Sequence, residues 1–397
     1  MARRILFVDD DPMVLRGLQR CLFSMRPDWD MVFVESGAAA LEAMARQPFD
    51  AIVSDMRMPQ MNGAELLNEV RRRHPSTARL VLSGHADKEL ILQCVASAHQ
   101  FIAKPCEPEI LKKALHHVLY QELDEEIRQC RTILARIPDL PVLPARHETL
   151  RKMLDDPTVT LDRLSDVVQG DIGLSARLLK LSNNAFFGLR RSVSTISEAI
   201  RLLGNETIKA LVVQQGFMDQ VPDRLPVGFD LSGLAANSLR VARLARSIAA
   251  GFPAVPPDLA FGAGLLHKSG LLMIAAAYPV ELEAIFKRAA AHPTPSWHLE
   301  HDAFGLNHAQ LGAFLIGLWG LPDAMAQAVR HHLIPAGTPP IPSAATALHG
   351  ACAGLSGKAG FDHAMWRLPF DHAHLSQLEL RIPYLQWADV YSGQEPE

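Results

Sequence analysis

The chain has 397 residues, of which 48% are apolar and 21% charged, and its formal net charge is -4. This length predicts two or three domains, and the apolar fraction suffices for buried cores, which excludes wholesale disorder. The near-neutral charge argues against a nucleic-acid binder that works through bulk positive charge. The five cysteines form no C-x-x-C pair, which argues against a zinc ribbon or a disulfide framework and favours a reducing cytosol.

No segment of the sequence is predicted to enter a membrane. The apolar run 5–8 ends after four residues at three consecutive aspartates, so it is too short for the core of a signal peptide. No stretch of about eighteen apolar residues occurs without a charge. The sequence therefore predicts a cytoplasmic protein without a membrane span.

Short apolar runs alternate with longer amphipathic stretches in the first 105 residues. The runs are 5–8, 31–34, 51–53 and 80–82, with a weaker one at 101–103. Such alternation is typical of βαβ units, so this part is predicted to form a doubly wound α/β domain with a five-stranded parallel sheet. Asp11-Pro12 predicts the start of the first helix, because proline is tolerated in the first turn.

Apolar residues recur every three or four positions between residues 107 and 137, which predicts a long connecting helix that ends before Pro138. Two interpretations stay open: one long helix that provides a dimer seam, or two consecutive helices with a kink. After Pro138 no strand pattern is found, and helices are predicted to about residue 355. They are 146–155, 161–169, 174–182, 195–203, 206–215, 232–250, 257–276, 280–290, 298–317 and 322–331.

Polar side chains follow four of the predicted strands at the point where each strand ends. Asp9 and Asp10 follow the first, Asp55 the third, Ser83 the fourth and Lys104 the fifth. The carboxyl ends of parallel strands meet at one edge of a sheet, so these groups are expected to converge. Crowded carboxylates suit Mg²⁺, and a carboxylate is a competent nucleophile toward phosphorus. Ordinary polar residues at strand ends are the alternative, but four groups in register favour a site.

This segment resembles a response-regulator receiver domain over its whole length. The resemblance rests on residues 5–12 (ILFVDDDP), residues 55–63 (DMRMPQMNG), Leu82-Ser83-Gly84 and Lys104-Pro105. It implies that Asp55 is the phosphoacceptor and that Lys104 and Ser83 contact the phosphoryl group. It also implies a Mg²⁺ site formed by Asp9, Asp10, Asp55 and the backbone carbonyl of Arg57.

Three further positions follow from the same resemblance. Phe101 falls where the family has its switch aromatic, which is more often a tyrosine. Arg57 and His85 fall where the family tunes the lifetime of the phosphoryl group.

The helical part contains histidines that are candidates for a metal site: His267, His308, His331 and His332. Residues 140–355 resemble an HDOD domain, a divergent relative of the HD phosphohydrolases. The resemblance rests on residues 140–144, 170–183 and 195–204, and on Glu300, Phe304-Gly305, His308, Leu311-Gly312, Trp319, Leu321-Pro322 and His331-His332.

The catalytic HD enzymes bind metal with a His-Asp pair, whereas this sequence has His267-Lys268 at that place. Asn237-Ser238 occupies the place of an upstream histidine of those enzymes. A lysine is expected to repel a divalent cation, so no cofactor is expected in the HDOD domain. The resemblance then makes His267, Lys268, His308, His331 and His332 remnants of an HD site, and the histidines are expected to be hydrogen-bonded in the core.

The resemblances together predict a receiver domain at 1–122, a connecting helix at 107–137, an HDOD domain at 138–357 and a C-terminal extension at 358–397. The expected protein is a response regulator that takes a phosphoryl group from a sensor histidine kinase and acts on a downstream signalling protein by contact. Neither DNA nor a membrane is an expected partner, and no catalysis is expected beyond its own phosphorylation and dephosphorylation. A homodimer through residues 107–137 is a further option.

Two other functions stay open for the HDOD domain. One is a phosphohydrolase or cyclic-dinucleotide phosphodiesterase with an unusual metal shell. The other is a nucleotide sensor that binds without cleaving. The basic residues Arg177, Lys180, Arg190, Arg191 and Arg201 are candidates for an anion site, with solvated helix faces as the alternative.

Overall fold

The computed structural model describes residues 2–378, except 85–89, 91–92, 95–96, 120–123, 138–139, 142–143, 155, 157, 184–191, 214–223, 293 and 338–340. Its N-terminal part is a parallel sheet with helices, and its C-terminal part is helical. The predicted fold class is therefore confirmed.

The sheet has five parallel strands in the order β2-β1-β3-β4-β5. They are β1 (Arg3–Val8), β2 (Trp29–Val34), β3 (Ala51–Asp55), β4 (Ala78–Ser83) and β5 (Gln100–Ala103). Every residue of β3 and β4 is buried, as is typical of a parallel sheet covered on both faces. The chain passes from β1 to β2 on one side and later to β3 on the other. The strand order therefore reverses between β1 and β3, where open parallel sheets bind ligands.

Four described helices accompany the sheet: α1 (Pro12–Cys21), α2 (Gly37–Arg46), α3 (Gly63–Arg73) and α4 (Pro108–Leu119). The side chain of Asp11 caps α1 by accepting a hydrogen bond from the Met13 amide at 2.7 Å. Asn62 and Glu65 form a capping box at the start of α3. These caps fix where each helix leaves the strand end that precedes it.

Helix α5 (Asp124–Arg136) connects the two parts of the chain. Arg131 Nη1 lies 2.8 Å from Asp50 Oδ1, beside β3, and Arg330 Nη2 lies 2.7 Å from Glu126 Oε2. The helix is thereby tied to both parts. The four residues between α4 and α5 lie outside the described part of the chain, so the choice between one helix and two stays open.

The apolar stripe of α5 is buried within a single chain. It consists of Ile127, Cys130, Ile133 and Leu134. These residues are therefore not free to form the seam between two copies that their spacing suggested.

The rest of the described chain is helical. Its helices are α6 (Pro144–Leu154), α7 (Leu161–Gln169), α8 (Ile172–Ser182), α9 (Ile196–Val213), α10 (Leu231–Ala250), α11 (Pro257–Leu266), α12 (Ser269–Ala277), α13 (Pro279–Ala291), α14 (Ser296–Phe304), α15 (His308–Leu318), α16 (Asp323–His331), α17 (Ala344–Leu355) and α18 (His372–Gln377). The segment Pro257–Ala277 is long and apolar enough to cross a membrane by length and composition alone, but 94% of its apolar window is buried inside the protein.

The predicted helices differ from the structure at three informative places. The predicted helix 257–276 is two helices separated at His267-Lys268, and 298–317 is two helices separated at Gly305, whose φ is 73°. Only glycine adopts such a φ readily, so it ends α14. Helix α17 was not predicted, although Ser343 starts it with a capping box.

Candidate functional site

The sheet register brings the polar residues at the strand ends to one edge. Val8 pairs with Ser54, Asp55 with Leu82 and Ser83 with Ala103, so Asp9, Asp55, Ser83 and Lys104 lie at neighbouring strand ends. The convergence that the sequence predicts for these residues is therefore observed.

Lys104 joins the two buried carboxylates of this site. Its Nζ lies 2.8 Å from Asp9 Oδ2 and donates a second short hydrogen bond to Asp55 Oδ1. The side chains of Asp9 and Asp55 are only 3% and 9% exposed, whereas Asp10 next to them is exposed. One ammonium group thus offsets the repulsion between two carboxylates that have little water around them.

The charges in this group of side chains alter one another's proton affinity. Burial raises the pKa of Asp55, and the hydrogen bond from Lys104 opposes this effect. Burial works to lower the pKa of Lys104, but its hydrogen bonds to Asp55 and Asp9 outweigh that effect and the pKa is raised. The lysine therefore keeps its charge, and it can stay beside Asp55 as negative charge accumulates there.

The loop after β3 holds Asp55 in place. Asp55 Oδ2 accepts a hydrogen bond from the Arg57 amide at 2.8 Å, and the Gly63 amide donates to the Met56 carbonyl at 2.9 Å. A Cβ at Gly63 would lie 2.2 Å from the Asp55 carbonyl oxygen, so only glycine permits this approach. The Arg57 carbonyl, a predicted metal ligand, belongs to the same loop.

Ser83 Oγ is buried at the end of β4 without a hydrogen-bond partner in the described part of the chain. An orphaned buried hydroxyl loses free energy unless a ligand satisfies it, and a phosphoryl oxygen is a suitable acceptor. The carboxylates of Asp9, Asp10 and Asp55 are hard oxygen donors, so the chemistry of this set fits Mg²⁺. Phe101 lies on β5 with its side chain 6% exposed, and His85 lies outside the described residues.

A second group of predicted residues meets in the helical part. His267 and Lys268 separate α11 from α12, His308 begins α15 and His332 follows α16. All four are buried, whereas His331 beside His332 is only half-buried. The structure therefore groups four of the five predicted remnants of an HD site and leaves His331 at the edge.

Four side chains and one carbonyl form a buried hydrogen-bonded chain in this group. Ser296 Oγ donates to Glu300 Oε1 at 3.1 Å, and His308 Nδ1 lies 2.7 Å from Glu300 Oε2. Lys268 Nζ lies 2.9 Å from His308 Nε2 and 3.1 Å from the Met365 carbonyl. Each of these contacts pairs a donor with an acceptor when Glu300 is ionised, because His308 then has its proton on Nδ1.

Sequence reasoning missed the part that Cys352 plays in this group. Its Sγ lies within 4.8 Å of one nitrogen of His267 and one of His332. The cysteine lies on α17, the helix that was not predicted, so the sequence offered no neighbour for it.

Burial lowers the pKa of His267 and of His332 well below the usual value, and it also lowers that of Lys268.

The basic residues proposed as an anion site do not act together in the described part of the chain. Arg177 and Lys180 are buried on α8, whereas Arg201 is exposed on α9. Arg190 and Arg191 lie outside the described residues. Buried cations on α8 fit neither interpretation that their sequence pattern allowed.

The fold thus joins a doubly wound α/β domain that carries a lysine-bridged acidic pocket to an all-helical domain. Two family models match the chain: "Response regulator receiver domain" at residues 5–116 and "HDOD domain" at residues 140–335. The chain belongs to the response regulators in which a receiver domain is followed by an HDOD domain.

Known proteins resemble parts of this chain. An uncharacterised protein of Treponema pallidum is 29% identical over 51% of this chain and 40% of its own length. The hydrogenase transcriptional regulatory protein HoxA of Cupriavidus necator is 38% identical over 41% of this chain and 36% of its own. The chain thus matches less than half the length of these curated relatives.

Two solved structures are similar to this chain. The MmoQ response regulator from Methylococcus capsulatus is 24% identical, covers 60% of this chain and 98% of its own, and has a TM-score of 0.44. An HDOD domain protein from Geobacter sulfurreducens is 22% identical, covers 68% and 95%, and has a TM-score of 0.41.

The buried histidines make the stability of the helical domain sensitive to acid. Burial lowers the pKa of His349 from 6.5 to about 4. Below pH 6.5 the unfolded chain binds a proton here that the folded chain does not bind. The stabilisation is complete above that pH and is lost as the pH falls toward 4.

We expect His349→Gln to remove this contribution. When the pH is lowered from roughly 7 to 5, the unfolding free energy of the variant should fall by about 2 kcal/mol less than that of the wild type. Denaturant unfolding at both pH values measures the difference, with His116→Gln on the exposed face of α4 as the control. Equal losses in wild type and variant would contradict the expectation.

Proposed function

We propose that Asp55 accepts a phosphoryl group from a sensor histidine kinase, and that the HDOD domain passes this signal to a downstream protein by contact. The observation that carries the proposal is Lys104, which bridges Asp9 and Asp55 beside the unpartnered hydroxyl of Ser83. We further propose a cytoplasmic protein with the domain boundaries 1–122, 107–137, 138–357 and 358–397. The family matches at 5–116 and 140–335 support these boundaries.

The chemistry at Asp55 is a displacement at phosphorus. A carboxylate oxygen of Asp55 forms the new bond to phosphorus, and the bond to the donor's histidine nitrogen breaks. Lys104 keeps its charge and stabilises the equatorial oxygens, and Ser83 Oγ donates a hydrogen bond to one of them. Mg²⁺ held by Asp9, Asp10, Asp55 and the Arg57 carbonyl would supply further positive charge.

Phosphorylation can reach the HDOD domain through β5. Gln100, the residue before Phe101, donates a hydrogen bond from Nε2 to the Gly317 carbonyl of α15 at 3.1 Å. Lys180 of α8 lies close enough to His99 to help lower the pKa of that histidine, after burial and Arg79. Helix α15 of the HDOD domain therefore contacts β5 directly, and the charge of Lys180 on α8 acts on the residue before that strand.

A contact output fits the buried chain better than hydrolysis does. Lys268 Nζ, at the place of the HD aspartate, donates to His308 Nε2 and so occupies a nitrogen that would otherwise bind a metal. The hydrogen bonds that Lys268 and His308 make in this chain give them a structural role. These contacts support a non-catalytic output domain.

We expect Asp55→Asn to abolish phosphorylation, because an amide is not a nucleophile toward phosphorus. The test incubates the wild type and the variant with acetyl phosphate and Mg²⁺ and records intact mass. Asp30→Asn is the matched control, since Asp30 lies exposed on β2 and pairs with Arg4 at 2.8 Å. A phosphorylated Asp55→Asn protein would refute Asp55 as the acceptor.

We expect Gln100→Leu to leave phosphorylation of Asp55 intact but to remove its effect on the HDOD domain. The leucine side chain is close to glutamine in size but cannot donate a hydrogen bond to the Gly317 carbonyl. Hydrogen exchange of residues 308–318 should change on phosphorylation in the wild type and in the control Gln19→Leu, which alters an exposed position of α1. The same change in Gln100→Leu would contradict a route through β5.

Nucleotide sensing is the second candidate, and one cavity favours it. A cleft of about 610 Å³ is lined by three arginines, Arg201, Arg243 and Arg246, of which Arg246 pairs with Asp258 at 2.7 Å. Guanidinium groups suit a phosphate, and the carboxylates of Glu198 and Asp258 line the same cleft. Calorimetric titration with cyclic dinucleotides should show binding that Arg201→Ala with Arg243→Ala removes, and absence of heat would exclude this function for the nucleotides tested.

A further inference from the structure

Three soft ligand atoms meet behind the Lys268–His308–Glu300 chain. His267 follows α11, His332 follows α16 and Cys352 lies on α17, so the three come from different helices of the core. One atom from each lies within 4.8 Å of the other two. The histidines are fully buried and the cysteine is 7% exposed.

The backbone fixes how both histidines present their rings. Nδ1 of His267 lies 2.6 Å from the Gly264 carbonyl, and Nδ1 of His332 lies 2.6 Å from the Val329 carbonyl. A carbonyl only accepts hydrogen bonds, so Nδ1 has the proton in each ring and Nε2 has a lone pair. This is the tautomer in which histidine binds a metal through Nε2, oriented by a carbonyl at the other nitrogen.

Neither lone pair has a partner in the described part of the chain. His267 Nε2 and His332 Nε2 are both buried without a hydrogen bond. A buried acceptor without a hydrogen bond destabilises the folded chain, and here two lie side by side. The rings are 5.4 Å apart at 86°, so each presents its nitrogen without stacking on the other. A bound cation would satisfy both nitrogens at once.

We propose that His267 Nε2, His332 Nε2 and Cys352 Sγ bind one thiophilic cation, Zn²⁺ or Cu(I). Two imidazoles and a sulfur are a soft ligand set that suits these ions and not Mg²⁺. Bonds of about 2.0–2.3 Å need only a small closing movement from ligand atoms within 4.8 Å of one another. On binding, the S–H bond of Cys352 breaks, the metal–sulfur bond forms and the proton is released to solvent.

The positive charge of Lys268 does not exclude a cation, because its hydrogen-bond partners include a residue that is paired with a carboxylate. The sequence alone predicts repulsion, but Lys268 Nζ points at His308 Nε2 and at the Met365 carbonyl. The carboxylate of Glu300 lies beyond His308 and supplies the opposite charge. The ammonium and the carboxylate cancel formally, so the Cys352 thiolate is left to offset the metal's charge.

The test uses the full-length protein, stripped of metal and titrated separately with Co²⁺, Zn²⁺ and Cu(I). We expect about one equivalent of each to bind at this site, in addition to any ion held by the carboxylates of the receiver domain, and Co²⁺ to give a sulfur-to-metal charge-transfer band. This band reports sulfur coordination, which carboxylates of the receiver domain cannot produce. Competition with chelators of known affinity for Zn²⁺ and for Cu(I) shows which of the two ions the site prefers.

Matched variants locate the site. Cys352→Ser should lose the charge-transfer band and His332→Gln should weaken binding at least tenfold. Cys130→Ser, at a buried cysteine of α5, and His331→Gln, at the neighbouring half-buried histidine, should retain the wild-type band. A wild-type protein without the band, or a Cys352→Ser protein that keeps it, would overturn the proposal. If circular dichroism shows that Cys352→Ser is unfolded, the comparison of His331→Gln with His332→Gln decides.

Discussion

The receiver site depends on one ammonium group between two buried carboxylates. Asp9 follows β1 and Asp55 ends β3, which are neighbouring strands of a parallel sheet, so the topology brings them together whatever their charge. Without Lys104 their repulsion in a region of little water would oppose the strand pairing itself. The lysine is the residue after β5. When β5 pairs with the sheet, it therefore brings a positive charge to the carboxylates at the ends of β1 and β3. Site and sheet are therefore assembled by the same contacts.

This arrangement makes the edge of the sheet responsive to added charge. A phosphoryl group on Asp55 would recruit both Lys104 and the unpartnered Ser83 hydroxyl, which lie at the ends of β5 and β4. Gln100 of β5 is hydrogen-bonded to the Gly317 carbonyl of α15 in the HDOD domain. Helix α5 holds the same two parts together through Arg131 and Glu126. The packing thus gives a local change in charge at Asp55 a short path to the helical core.

The sequence specified the receiver site more fully than the helical core, for a physical reason. In a parallel sheet the position of a residue at a strand end already determines its neighbours, so the sequence positions of Asp9, Asp55, Ser83 and Lys104 suffice to group them. Residues of a helical core meet according to how helices cross, which periodicity alone does not reveal. The pairing of Lys268 with His308, and the place of Cys352, depend on such crossings.

The prediction of the helical core differs most from the structure at the ends of its helices. His267 and Lys268 occupy a break between two helices, and His308 begins a helix that follows a left-handed glycine. Both breaks fell inside helices that the sequence pattern predicts as continuous, because apolar residues persist across them. A Cβ on Gly270 would lie 2.1 Å from the His308 carbonyl, so these two helix starts pack backbone to backbone. This backbone contact places Lys268 beside His308, and the periodicity of apolar residues does not predict it.

The lysine at position 268 determines which nitrogens of the buried histidines stay without a hydrogen bond in the described chain. In the HD arrangement that the sequence resembles, an anionic residue follows the histidine and holds a hard cation. Lys268 brings the opposite charge, and the structure balances it with Glu300 through His308. The hydrogen bonds of His308 are thereby used up, whereas His267 and His332 keep their Nε2 lone pairs free of partners in the described chain. Because Cys352 Sγ lies within 4.8 Å of a nitrogen of each of these histidines, the ligand set that we propose for this group is soft and not hard.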